Sequence, residues 1–138
     1  MIIERHESDR RQHSRYSVDW MASLMPKGQD NDEIFHDRIS DLSLYGAGIY
    51  SNTELSTDVP MVLLIESPLP DGEFRKVIIG IDCAVRNSLF SEERRQFRAG
   101  LQFLGFRGID KHLIAEALLT RGESVIRRTR RKSDSWLN

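Results

Sequence analysis

Residues 77–103 carry the clearest pattern of the chain, and they read VIIGIDCAVRNSLFSEERRQFRAGLQF. Every second residue from Val77 to Val85 is apolar, and so is every second residue from Phe97 to Phe103. Successive side chains of a β-strand point to opposite faces, so this alternation is typical of a strand with one buried face. The stretch therefore predicts two β-strands in succession.

The sequence before this stretch predicts four further strands. They are expected at residues 18–24, 33–42, 49–51 and 59–66. Clusters of turn-forming residues separate them, notably at 26–32 and 67–72.

Beyond the last predicted strand the apolar spacing becomes helical. One stripe of a helix would be formed by Ile109, Leu113, Ile114, Ala117 and Leu118. Asp110 is placed to cap the start of this helix and Gly122 to end it. Six short strands followed by one helix predict an all-β fold with a C-terminal helix. The expected architecture is a six-stranded antiparallel β-barrel, closed or nearly closed, with the helix packed on it.

The length of 138 residues fits one domain. We expect a flexible arginine-rich arm at residues 1–14, the barrel with its helix at 15–122, and a basic polar tail at 123–138. The single cysteine, Cys83, excludes an intramolecular disulfide and is expected to be a core residue. No segment is apolar and long enough for a signal peptide or a membrane span, so a cytoplasmic protein is expected.

Charge is distributed unevenly along the chain. The net charge of −1 argues against a general attraction to polyanions. Arginines nevertheless crowd both ends, and Arg10, Arg11 and Arg15 stand just before the first predicted strand. A guanidinium binds phosphate oxygens in a fork, reads the O6 and N7 atoms of guanine, and stacks on the base. These arginines are candidates to close over an anionic ligand, and a solvated charged terminus is the alternative.

A second candidate segment is Asp41-Leu42-Ser43-Leu44-Tyr45-Gly46. Asp41 and Ser43 would point to the same side of a strand. A carboxylate accepts two parallel hydrogen bonds from N1–H and N2–H of guanine, and a neighbouring hydroxyl adds a further contact. Gly46 has no Cβ and would let a ligand or backbone approach closely. An ordinary turn is the alternative. Arg15 and Asp41 are 26 positions apart, so one hairpin would bring the two segments together.

The two segments together resemble the PilZ domain, a bacterial receptor module for cyclic di-GMP. That family carries Arg-x-x-x-Arg followed by Asp/Asn-x-Ser-x-x-Gly, which this sequence matches at 11–15 and 41–46. The segments Asp82–Arg86 and Arg98–Phe103 are similar to later strands of the family. The resemblance covers about residues 10–121.

The resemblance implies a site for the ligand and a way of signalling. Arg11 and Arg15 would hold phosphate and guanine, Asp41 and Ser43 would read a guanine edge, and Gly46 would leave room for it. Arginine at position 10 resembles receptors that hold two stacked ligand molecules. The ligand would order the N-terminal arm over the barrel and so change the surface shown to an unidentified partner protein.

Other classes of function have weaker support in the sequence. The four histidines and one cysteine lack metal-ligand spacing, and no nucleophile elbow or phosphate-binding glycine loop is present, so neither metal, cofactor nor enzymatic activity is expected. Aromatic residues are not interleaved with the basic ones, which argues against a nucleic-acid binder. The alternative left open is a protein-interaction module of the same fold that acts without the nucleotide.

Overall fold

The computed structural model describes residues 15–28, 32–68, 76–108, 110–121 and 123–124. Its strands are β1 (Tyr16–Ser17), β2 (Met21–Pro26), β3 (Phe35–Arg38), β4 (Asp41–Leu42), β5 (Gly46–Ser51), β6 (Pro60–Pro68), β7 (Lys76–Ser91), β8 (Gln96–Phe106) and β9 (Glu123–Ser124). A helix, α1 (Asp110–Arg121), lies between β8 and β9. Within the described ranges, no helix is long and apolar enough to cross a membrane.

The strands form one antiparallel sheet in the order β3-β2-β6-β7-β8-β5-β4-β1-β9. The first and seventh strands of that order, β3 and β4, are consecutive in the chain with only Ile39 and Ser40 between them. The sheet must therefore curl around the core until these two strands meet. At the corner, the N–H of Ile39 donates to the carbonyl of Trp20 at 3.0 Å, and that of Ser40 donates to Gly48 at 2.9 Å. The predicted barrel-like, mostly β fold with a C-terminal helix is confirmed.

The predicted count of six strands is not confirmed, because the described residues form nine. The strand predicted at 18–24 begins only at Met21, after a break at 18–20 that separates it from β1, and the strand predicted at 33–42 is interrupted at 39–40. The second break lets the chain change partners, since β3 pairs with β2 whereas β4 pairs with β1 and β5. Strands bend in this way where a sheet turns a corner. Neither break contains glycine or proline, so no turn signal marks these positions in the sequence.

The stretch at 77–103 forms the long hairpin of β7 and β8. Ile79, Ile81, Cys83 and Val85 are completely buried, as their spacing predicts. β7 continues six residues past Val85, and at its far end Phe90 pairs with Phe97. This extension lies beyond the core, where burial no longer imposes alternation on the sequence.

Helix α1 covers the core through the predicted stripe. Ile114, Ala117 and Leu118 are buried and Leu113 packs against the same cluster, whereas Ile109 lies outside the described residues. Asp110 is the first residue of the helix, and its carboxylate accepts a hydrogen bond from the N–H of Gly80 at 2.9 Å. The residue predicted to cap the helix therefore also fixes the helix to β7.

The chain after α1 returns to the first strand. Ser17 pairs with Glu123 and Tyr16 with Ser124, so β1 lies between β4 and β9. These two partners belong to the segment expected to be a polar tail. Gly122 and residues 125–138 lie outside the described residues, as does the expected arm at 1–14.

Candidate ligand-binding site

A row of paired residues crosses five strands on the outer face of the sheet. The registers place Ser17 beside Asp41, Asp41 beside Gly48, Gly48 beside Gly100, and Gly100 beside Asn87. The neighbouring row points into the core. Because two glycines occupy the middle of the outer row, the sheet surface forms a shallow floor between the aspartate and the asparagine.

The Asp41 carboxylate lies between two guanidinium groups. Arg15 Nη2 donates to Oδ1 at 2.7 Å, and Arg98 Nη2 donates to Oδ2 at 2.8 Å. The side chain of Asp41 is only 13% exposed, whereas those of Arg15 and Arg98 are 47% and 33% exposed. A largely desolvated carboxylate is costly without partners, and the two ion pairs provide them.

Gly48 makes room for the second of these arginines. A Cβ atom at this position would lie 2.6 Å from Nη2 of Arg98 and 2.9 Å from its Cζ. The guanidinium therefore rests directly on the glycine floor while it reaches Asp41. The nearby Tyr50 ring lies 5.8 Å from the same Cζ.

Ser43 shapes the turn between β4 and β5. Its Oγ accepts hydrogen bonds from the N–H groups of Tyr45 at 3.0 Å and Gly46 at 3.2 Å, and its own N–H donates to the Gly46 carbonyl at 2.9 Å. A serine hydroxyl that binds backbone groups two and three residues ahead is a recurrent turn device. The hydroxyl is thus held at the rim of the site.

Gly46 is required by the packing of two strands. A Cβ atom there would overlap the carbonyl oxygen of Leu101, which belongs to the paired strand β8. The expected role of this glycine was to leave room for a ligand. In the described structure, the lack of a side chain at Gly46 instead allows β5 and β8 to approach each other.

These residues line an open pocket of about 400 Å³. Four of the predicted site residues meet there: Arg15, Asp41, Ser43 and Gly46. Arg10 and Arg11 lie outside the described residues. The remaining lining residues are Tyr45, Ala47, Asn87, Arg98, Gly100 and Leu101.

Sequence reasoning did not assign Arg98 and Asn87 to the site. Asn87 Oδ1 accepts a hydrogen bond from the N–H of Gly100 at 3.1 Å, which fixes its amide at the edge of the glycine floor. In the sequence, Arg98 stands two positions before Gly100 on the polar face of a predicted strand. This spacing indicates a site residue only once the register that pairs Gly100 with Gly48 is known.

Cys83, the single cysteine, lies in the core and away from the pocket. Cys83 is completely buried, and this burial raises the pKa of its thiol to about 12. Such a thiol stays protonated at neutral pH and behaves as a small core residue. Among the described residues, no three His, Cys, Asp or Glu side chains gather as metal ligands.

Comparison with solved structures shows proteins of the same fold. The structure of MotI/DgrA of Bacillus subtilis, described as an inhibitor of motility, superposes with a TM-score of 0.63 at 18% identity over 90% of this chain and 53% of that one. The complex of K. pneumonia MrkH with c-di-GMP gives a TM-score of 0.54 at 21% identity, over 86% of this chain and 53% of MrkH. The chain thus spans about half the length of the structures it matches. No curated protein matches it in sequence.

A comparison of the sequence with protein-family profiles identifies the family of the chain. The profile of the PilZ domain matches residues 9–120, a range that includes all the predicted site residues and most of the described fold. The chain therefore belongs to the PilZ domain family.

Proposed function

We propose that this chain is a cyclic di-GMP receptor that presents a changed surface to a partner protein once the ligand is bound. The observation that carries the proposal is the meeting of Arg15 and Asp41, which are 26 residues apart, in one pocket with Ser43. Membership of the PilZ family supports the choice of ligand. The similar fold of MrkH, whose complex with c-di-GMP is known, supports it further. The proposed function includes no chemical step on the ligand.

The site is arranged for an exchange of hydrogen-bond partners. In the structure, both oxygens of Asp41 accept from guanidinium groups. We infer that the N1–H and N2–H groups of a guanine replace these donors, which frees Arg15 to bind phosphate together with Arg11. The carboxylate is already held in a mostly buried place, so binding requires little further desolvation of Asp41.

The same exchange provides the signal. Arg15 directly precedes β1, so a movement of its side chain from Asp41 to the ligand pulls on the segment that enters the barrel. In the proposal, residues 1–14 then order over the pocket. A partner protein would recognise the covered surface and not the open one.

The assigned site is tested by substitution of Arg15 or Asp41 with alanine. Loss of a charged partner in a desolvated site costs on the order of 2–5 kcal/mol, so we expect cyclic di-GMP affinity to fall by ~30-fold or more. Isothermal titration calorimetry measures the change. Arg86→Ala is the matched control, since it removes one arginine outside the pocket.

Circular dichroism and thermal melting establish that each variant is folded. Affinity close to that of the wild type in both Arg15→Ala and Asp41→Ala would contradict the assigned site. GTP and cyclic di-AMP serve as ligand controls, and equal binding of all three nucleotides would contradict the proposed ligand.

The number of ligands bound is a separate expectation that rests on Arg10. Two stacked cyclic dinucleotides carry four phosphate charges, and a third guanidinium neutralises charge and caps the stack. We expect two molecules per chain in the wild type and a fall towards one in Arg10→Leu. The calorimetric stoichiometry measures this, and a value near one in both proteins would remove Arg10 from the site without affecting Asp41.

A further inference from the structure

A second open pocket, of about 470 Å³, lies near the first on the barrel surface. It is lined by Ser17, Asp37, Arg38, Ser40, Tyr50, Arg94 and Gln96, and it shares no lining residue with the first pocket. The elements that form it are β1, β3 with the corner that follows it, β5, and the hairpin turn together with the first residue of β8. Neither the family resemblance nor the proposed function assigns it a role.

The two pockets offer the same set of chemical groups. The first combines one carboxylate, a serine hydroxyl and two guanidinium groups. The second combines Asp37, the hydroxyls of Ser17 and Ser40, and the guanidinium groups of Arg38 and Arg94. These are the groups that bind the Watson–Crick edge of guanine and the oxygens of a phosphate.

The groups of the second pocket are available to a ligand. Within the described residues, Arg38 and Arg94 form no ion pair and the hydroxyls of Ser17 and Ser40 accept or donate no hydrogen bond. Asp37 Oδ1 accepts from the backbone N–H of Arg38 at 2.7 Å, which leaves Oδ2 without a donor among the same residues. The local charge from two arginines and one aspartate is positive, which suits a phosphate ester.

A flat surface for a base is also present. The Arg94 guanidinium stacks on the Tyr50 ring with Cζ 3.9 Å from the ring centroid. Stacking of this kind fixes the plane of the guanidinium. The face of the guanidinium that points away from Tyr50 is a flat surface on which a purine can stack.

We propose that this second pocket is a separate binding site for a guanine nucleotide. Arg38, Arg94 and the two serine hydroxyls bind the phosphate, Arg94 supports the base, and Asp37 accepts from N1–H and N2–H. Adenine has no such pair of donors, so Asp37 selects guanine. A free mononucleotide and one half of a cyclic dinucleotide offer the same chemistry. The extension to cyclic di-GMP rests on the proposed function, whereas the binding of a mononucleotide does not.

The experiment titrates GMP into the Asp41→Ala chain, in which the first pocket is disabled, and follows the backbone amide signals of Tyr50 and Gln96 by NMR. We expect saturable shifts at both residues, and about tenfold weaker binding when Arg38→Ala or Arg94→Ala is added. Arg95→Asn is the matched control. It removes the same charge from the same turn, Arg95 does not line the pocket, and asparagine tolerates the φ of 56° found there.

Further titrations identify the source and the selectivity. AMP and inorganic phosphate should bind at least tenfold more weakly than GMP. A parallel titration of cyclic di-GMP shows whether the dinucleotide also enters the second pocket, by shifts at Tyr50 that depend on Arg94. Titration of GMP into the wild-type protein, again followed at Tyr50, repeats the test in a chain with no substitution at Asp41.

Absence of GMP shifts at Tyr50, or equal binding in Arg94→Ala and Arg95→Asn, overturns the second site. Neither result bears on the first pocket, which is judged by the effect of Asp41→Ala on cyclic di-GMP affinity. Conversely, if cyclic di-GMP does not bind the first pocket, GMP should still bind the second pocket, and this binding should still depend on Arg94.

Discussion

At the scale of single residues, the absence of a Cβ atom at Gly46 sets the distance between β5 and β8. Gly46 faces the backbone of β8, and any Cβ atom there would overlap the carbonyl oxygen of Leu101. A carbonyl in a paired strand moves only if the pairing itself moves. Gly105 differs, since a Cβ atom on it would meet nothing within 4 Å.

This contrast gives a matched pair of substitutions. We expect Gly46→Ala to lower the free energy of unfolding by about 1–3 kcal/mol, the range for forced overpacking. Gly105→Ala should be neutral or slightly stabilising, because alanine loses less backbone entropy than glycine on folding. Chemical denaturation followed by circular dichroism measures both, and similar values for the two variants would contradict the role given to Gly46.

The residues of the site could be predicted from the sequence only where they belong to a short sequence motif. Asp41, Ser43 and Gly46 are close in sequence, and Arg15 stands at the end of an arginine run, so all four were candidates. Arg98 and Asn87 enter the pocket through cross-strand registers that involve Gly48 and Gly100, and no local pattern encodes those registers.

At the scale of elements, helix α1 is tied to β7 by one side chain. The carboxylate of Asp110 accepts from the N–H of Gly80, a buried backbone group of β7. A buried donor that loses its acceptor keeps the full cost of its desolvation.

Asp110→Ala should therefore lower the free energy of unfolding by about 1–3 kcal/mol. Asp110→Asn keeps an acceptor oxygen in the same place and should recover most of the loss. Thermal melts of the three proteins measure the effect, and hydrogen exchange at the Gly80 amide locates it. An alanine variant as stable as the asparagine variant would show that the contact contributes little.

The alternation of apolar residues predicted most of the strands but not their ends. It identified the buried part of β7 up to Val85, because burial imposes a period of two there. It failed from Arg86 to Ser91, where β7 remains paired with β8 although its side chains have left the core. It failed at residues 39–40 as well, where a strand changes partner without a turn residue.

At the scale of the whole molecule, ligand binding and stability are linked. A ligand that binds only the folded chain stabilises it by about 2.7 kcal/mol at a free concentration of 100 times Kd. The pocket is built from β4, β5, β7 and β8 together with Arg15, so it exists only in the folded sheet.

Cyclic di-GMP should accordingly raise the melting temperature of the wild type in proportion to the logarithm of its concentration. Arg86→Ala should show the same rise, and Asp41→Ala should show little or none. Differential scanning fluorimetry measures these shifts. An equal rise in Asp41→Ala would indicate that the stabilising ligand binds elsewhere.

The position of β1 between β4 and β9 has a consequence for the synthesis of the protein. The strand that follows Arg15 is translated more than a hundred residues before one of its two neighbours, Glu123–Ser124. The edge of β1 that pairs with β9 therefore stays open in a nascent chain until helix α1 and the residues after it have left the ribosome.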